Sequence, residues 1–126
     1  MAGELVLIVE DNDKNMKLAR DLLEIKGYRV ISAGTAEEGL LLARAQRPDV
    51  VLMDVQLPGM DGFAALRALR EDPATKGLIV AAFTASVMKE DLARIESAGF
   101  DGYIAKPISV REFPEMVARL CRQESG

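Results

Sequence analysis

The sequence predicts an α/β fold, a doubly wound parallel sheet of five strands in the order 2-1-3-4-5, and three observations carry that prediction. Five short apolar runs alternate with five helical patterns along 126 residues, the alternation of a parallel sheet with helices on both faces. The clearest run, VVLM at 50–53, is continuous rather than alternating, which fits a strand covered on both sides. Right-handed crossovers between successive strands then favour the doubly wound order.

The first strand is expected at Leu5–Val9, followed by a helix over Lys14–Lys26 whose buried stripe would be Leu18, Leu22, Leu23 and Ile25. Gly27 stands where a left-handed residue is wanted after a helix. The second strand, Arg29–Ala33, leads into a helix over Ala36–Gln46, with Leu40, Leu41 and Ala43 as its buried face. Pro48 punctuates the chain before the third strand, Val50–Met53, and a helix is expected over Gly62–Arg70. A fourth strand at Leu78–Phe83 precedes a helix over Val87–Ala98, closed by Gly99. The fifth strand is Gly102–Ala105, with Pro107 just after it, and the last helix runs from about Val110 to Arg122. Pro114 falls inside that helix if Ser109 caps it and Glu112 completes a capping box. Either the first turn is distorted there or the helix effectively begins near Phe113.

The length fits one domain over 1–126. The opening MAGELVLIVED lacks the basic segment of a signal peptide, and no apolar stretch approaches the roughly 18–20 residues that span a bilayer. A cytoplasmic protein without membrane contact is expected. Net charge is −4 with both signs mixed along the chain, which argues against a nucleic-acid surface. The single cysteine, Cys121, excludes an internal disulfide and a cysteine zinc cluster, and reads as a packing residue. There is no histidine, which removes histidine-based triads, most zinc sites and self-phosphorylation on histidine.

In doubly wound sheets, sites form beyond the carboxyl ends of the strands. Glu10 and Asp11 follow the first strand here, Asp54 the third, Thr84 the fourth and Lys106 the fifth. Three crowded carboxylates repel and need a cation, and an all-oxygen cluster suits Mg²⁺. Asp54 beside a divalent ion and a lysine is placed as a carboxylate nucleophile towards phosphorus, in a transfer that works by positioning and charge neutralisation. Lys106 would hold one phosphoryl oxygen and the Thr84 hydroxyl another. Plainer readings exist for each residue: Asp54 and Lys106 as a structural ion pair, Glu10 and Asp11 as partners of a helix dipole, Asn12, Asp13 or Asn15 as caps. Taken together at matched strand ends, the set points to a phosphoryl site.

These residues are also recognisable as a pattern. VEDN at 9–12, LMDVQLPGMDG at 52–62, FTA at 83–85 and YIAKPIS at 103–109 resemble the receiver domain of two-component response regulators over essentially the whole chain. VEDNDKNMKL and KPISVREF resemble more narrowly the single-domain, DivK-like cell-division regulators. The resemblance implies a flavodoxin-like receiver fold without an output domain. It implies that Asp54 accepts a phosphoryl group from a phosphohistidine on a histidine kinase or a histidine phosphotransfer protein. Asp11, Asp54 and the main-chain carbonyl of Gln56 would bind Mg²⁺, with Glu10 reaching it through water, and Thr84 and Lys106 would contact the phosphoryl oxygens. Thr84 and Tyr103 would be the switch pair, Tyr103 turning inward as the Thr84 hydroxyl moves.

A phosphoryl group adds charge and strong acceptors, and pulling Thr84 inward drags the loop into the fourth helix with it. The surface of the fourth helix, fifth strand and fifth helix would thereby change and carry the signal to a downstream protein; Ala85, Val87, Met88, Phe100 and Tyr103 are the expected contributors. Met60, in the loop after Asp54, would be exposed to a partner. Such a protein is not an enzyme beyond its own phosphorylation and slow dephosphorylation. A true aspartyl-phosphate phosphatase would want a second aspartate two residues after the nucleophile, where this chain has Gln56. A flavin module would want a phosphate-cradling loop in place of EDNDKN. A receiver-like interaction module that works without phosphorylation is the remaining alternative.

Overall fold

The computed structural model describes residues 3–123, and the remaining termini of the expected 1–126 domain lie outside the described residues. Strands and helices alternate strictly: β1 (Leu5–Val9), α1 (Asp13–Ile25), β2 (Arg29–Ala33), α2 (Ala36–Gln46), β3 (Val50–Asp54), α3 (Gly62–Glu71), β4 (Ile79–Thr84), α4 (Lys89–Ala98), β5 (Gly102–Ala105) and α5 (Phe113–Cys121). All four strand pairings are parallel, in the order β2-β1-β3-β4-β5. The expected fold class is the one found. β1, β3 and β4 are buried along their whole length, whereas the edge strands β2 and β5 are partly open.

Alternate residues of each strand point to opposite faces, and the sheet separates two cores. Leu7, Val9, Val51, Met53, Val80 and Ala82 pack on one face with Ala43 of α2, Leu66 and Leu69 of α3 and Ile95 of α4. Val6, Ile8, Val50, Leu52, Ala81 and Phe83 pack on the other with Leu23 of α1 and Phe113, Val117 and Leu120 of α5. No helix among the described residues is long and apolar enough to cross a membrane.

Helix faces depart from the sequence reading. Leu18, Ile25 and Leu41 are exposed, Ile25 by 78% and Leu41 by 72%. Leu23 in α1 and Ala43 in α2 are buried as expected, and the other buried positions are Ala19 in α1 and Ala36 and Gly39 in α2. Close seating of a helix on the sheet selects small residues at the contact: a Cβ on Gly39 would stand 2.7 Å from a methyl of Val9. Gly27 and Gly99 do adopt positive φ, 93° and 103°, behind α1 and α4.

Two helix starts are later than expected. α4 begins at Lys89 rather than Val87. At α5 the second alternative holds: the helix starts at Phe113 with Pro114 in its first turn, where a missing N–H is tolerated. Ser109 still caps, but a preceding turn; its hydroxyl accepts from Glu112 N at 3.1 Å and its carbonyl from Phe113 N at 2.9 Å.

Candidate functional site

Register brings the polar strand ends together. β1 and β3 pair through Val9 and Met53, so Glu10 and Asp54 follow side by side. The β4 and β5 pairing ends at Thr84 and Ala105, and Lys106 N donates to Thr84 O at 2.8 Å, which seats the lysine beside them. Gly62 lets the start of α3 close against this edge: a Cβ there would collide with the Asp54 carbonyl oxygen and stand 2.7 Å from Val55 Cα.

Glu10, Asp54 and Thr84 are buried, Asp54 to 3% exposure, while Asp11 is exposed. Carboxylate oxygens of Glu10, Asp11 and Asp54 all lie within 4.8 Å of one another. Lys106 Nζ donates to Asp54 Oδ2 and to Glu10 Oε1, each at 2.8 Å. The second oxygens take backbone donors: Gln56 N to Asp54 Oδ1 at 2.9 Å, and Asn12 N to Glu10 Oε2 at 3.0 Å. Asn12 also caps α1, its side chain accepting from Asn15 N, so the cap reading holds for that residue.

Burial pushes the Glu10 carboxyl above its usual range, Lys106 and the Asn12 amide oppose this, and the Asp54 charge adds to the rise. For Lys106 burial favours the neutral amine, but hydrogen bonds to Asp54 and Glu10 and their charges outweigh it, and its value is raised. One lysine thus faces three carboxylates, a surplus of negative charge in oxygen ligands. That donor set fits a hard divalent cation such as Mg²⁺, held by one or two carboxylates with the rest of its shell open.

The side chains of Thr84 and Tyr103 make no hydrogen bond to the carboxylate cluster. The Thr84 hydroxyl donates to Ser86 O at 2.9 Å and accepts from Ser86 N at 3.1 Å, within its own loop. Tyr103 is 43% exposed on the edge strand β5. Val87 and Met88 are exposed as expected, whereas Phe100 is buried in the core and forms no open partner surface, and Met60 is partly buried against that core.

A cleft of about 380 Å³ opens beside Thr84, lined by Gln56, Asp61, Phe63, Ser86, Asp91 and Arg94 among others. Arg94 lies 3.9 Å above the Phe63 ring, and Ser86 Oγ donates to Asp91 Oδ2. Sequence reasoning did not find these partners. Arg94 and Phe63 belong to different helices with no shared motif.

The response regulator receiver domain family matches residues 6–118. The polar-differentiation response regulator DivK of Brucella anthropi is 47% identical over 112 residues, 89% of this chain and 91% of its own, and that of Brucella ovis is 46% identical over the same length. Among solved structures, the receiver domain of a sensor histidine kinase from Pseudomonas aeruginosa, with a magnesium ion coordinated in its active site cleft, superposes with a TM-score of 0.88 at 32% identity. That match covers 97% of this chain and 100% of the other. The chemotaxis protein CheY4 of Vibrio cholerae gives 0.87 at 27% identity, covering 94% and 99%. Sequence, fold and acidic strand ends agree: the chain belongs to the response regulator receiver domain family, with DivK-type regulators among its relatives.

Proposed function

We propose that this protein is a phosphoacceptor switch of a two-component or phosphorelay system, with Asp54 as the acceptor. The observation that carries the reading is a buried aspartate bonded to Lys106 at 2.8 Å with two more carboxylates within 4.8 Å. Having no histidine, the chain takes its phosphoryl group from a phosphohistidine of a histidine kinase or a histidine phosphotransfer protein. An Asp54 oxygen forms the new P–O bond as the P–N bond of the donor breaks, and the imidazole nitrogen leaves with the electron pair. Asp11, Asp54 and the Gln56 carbonyl would hold Mg²⁺, with Glu10 in the same cluster; the ion would neutralise charge on the carboxylates and the incoming phosphoryl oxygens.

Lys106 then moves its donors from Asp54 to a phosphoryl oxygen, and Thr84 turns its hydroxyl to another. Each charge-assisted bond is worth ~1.5–3 kcal/mol, against the roughly 5.5 kcal/mol needed to shift a population from 1:99 to 99:1. Tyr103, exposed in the present arrangement, turns inward, and the altered face of α4, β5 and α5 signals to a downstream protein in the cytoplasm. The protein turns over no other substrate.

Incubation with acetyl phosphate and Mg²⁺, read by intact mass, tests the reading. A single phosphoryl adduct is expected, absent without metal and absent in Asp54→Asn. No adduct in folded wild-type protein would instead leave a receiver that binds partners without phosphorylation.

A further inference from the structure

Thr84 is the last residue of β4, and residues 85–88 form the loop into α4. Its hydroxyl closes a small ring with Ser86, donating to the Ser86 carbonyl at 2.9 Å and accepting from the Ser86 N–H at 3.1 Å. A hydroxyl has one proton to donate, so Thr84 cannot serve an acceptor at Asp54 while it serves Ser86. The ring is held from its far side too. Ser86 Oγ donates to the carboxylate of Asp91, in the first turn of α4, and accepts from Met88 N at 3.3 Å. Met88, the residue at the cap of α4, makes no side-chain cap bond, so the Ser86 to Asp91 bond is a side-chain tie between the loop and the helix.

We propose that Ser86 and Asp91 form a latch that holds Thr84 turned away from Asp54 and thereby sets the site's affinity for a phosphoryl group. The inference rests on the reading of Asp54 as phosphoacceptor. For Thr84 to donate to a phosphoryl oxygen, its bond to the Ser86 carbonyl must open and residues 85–88 must shift against α4. The Ser86 to Asp91 bond resists that shift; it is charge-assisted, though access to water limits its weight. Whatever stabilises the arrangement that cannot engage the ligand lowers apparent affinity by the fraction of competent molecules. Ser86 and Asp91 are positioning residues, acting through Thr84.

Beryllofluoride, a tetrahedral stand-in for a phosphoryl group on a carboxylate, is titrated with excess Mg²⁺ into the full chain, and the Thr84 amide resonance reports binding. Ser86→Ala, which changes no charge, is expected to bind about three- to tenfold tighter, the weight of one partly exposed hydrogen bond. Asp91→Ala should tighten similarly, and the double variant should bind no tighter than the better single one, because each removes the same bond. Ser86→Thr keeps the hydroxyl and should keep wild-type affinity. A capping role alone would lower the melting temperature without tightening binding. Wild-type protein that binds no beryllofluoride removes the Asp54 reading and the latch with it. Wild-type binding with Ser86→Ala equal or weaker overturns the latch alone, as does full additivity of the two single variants.

Discussion

Lys106 and Arg70 sit at opposite ends of the same strand pair, β4 and β5, and are used in opposite ways. At the amino ends of the strands, Arg70 donates to the carbonyls of Lys76, Leu78 and Gly99 and to Asp101 Oδ2, at 2.6–3.2 Å. Asp101 Oδ2 also accepts from Val80 N at 2.8 Å. One cation meets one anion, and backbone carbonyls accept from the rest of its Nη1 and Nη2 donors. At the carboxyl ends, Lys106 is shared between two buried carboxylates, and a third lies within 4.8 Å. The first arrangement is balanced and locks α3 to the start of β4 and β5. The second leaves acid in excess, which is what keeps room for a cation and a phosphoryl group. A site is the place where the fold leaves charge unmatched.

If that contrast is right, breaking the balanced end harms only the fold. Arg70→Met would strand Asp101 and several carbonyls, with an expected loss of about 2–4 kcal/mol in urea unfolding, reduced by the partial exposure of the pair. The folded variant should still form the Asp54 adduct from acetyl phosphate. Loss of the adduct in folded Arg70→Met protein would mean that the two ends are not separable.

The unbalanced end should respond more weakly in stability and more strongly in chemistry. Lys106→Met leaves Glu10 and Asp54 without their shared cation, at a cost of about 1–3 kcal/mol in chelator-treated protein. Because Mg²⁺ binds the folded state, its addition should raise the melting temperature of this variant at least as much as that of wild type, while the adduct forms far more slowly. A variant that phosphorylates at the wild-type rate would reduce Lys106 to a structural partner of Glu10 and Asp54.

How much of this contrast can be read before folding depends on the kind of order involved. The acidic end was legible because Glu10, Asp11, Asp54, Thr84 and Lys106 each follow an apolar run, and parallel strands place all such positions at one edge. β1, β2 and β5 carry their expected bounds for the same reason. The Arg70 staple was not legible, since most of its acceptors are carbonyls of β4 and α4 flanks that only the tertiary fold assembles. Helix faces failed differently. Leu18, Ile25 and Leu41 look like core by hydropathy, yet close helix-to-sheet contact is decided by side-chain size, and Ala19, Ala36 and Gly39 take buried positions beside the expected Leu23 and Ala43. The delayed start of α4 had a cue in Ser86, whose hydroxyl serves Met88 N and Asp91 rather than opening the helix itself.

The smallest expected effect asks whether Glu10 is held at a net cost. Burial and the Asp54 charge raise its carboxyl above the ordinary value of 4.5 despite Lys106 and the Asn12 amide. As pH climbs through 4.5 the unfolded chain releases this proton first, so over that window the folded chain binds more protons. Its contribution to stability therefore falls until the folded group has also ionised. Glu10→Gln keeps the shape and removes the titration. In chelator-treated protein the variant should gain on wild type as pH rises from 4.5 towards neutrality, by up to about 1 kcal/mol, and the gain should then level off. Mg²⁺ should shrink or reverse it, because the charged carboxylate then has a cation to face. If metal-free Glu10→Gln is instead the less stable protein at neutral pH, Lys106 outweighs burial at Glu10, and this end of the sheet is as balanced as the end that Arg70 holds.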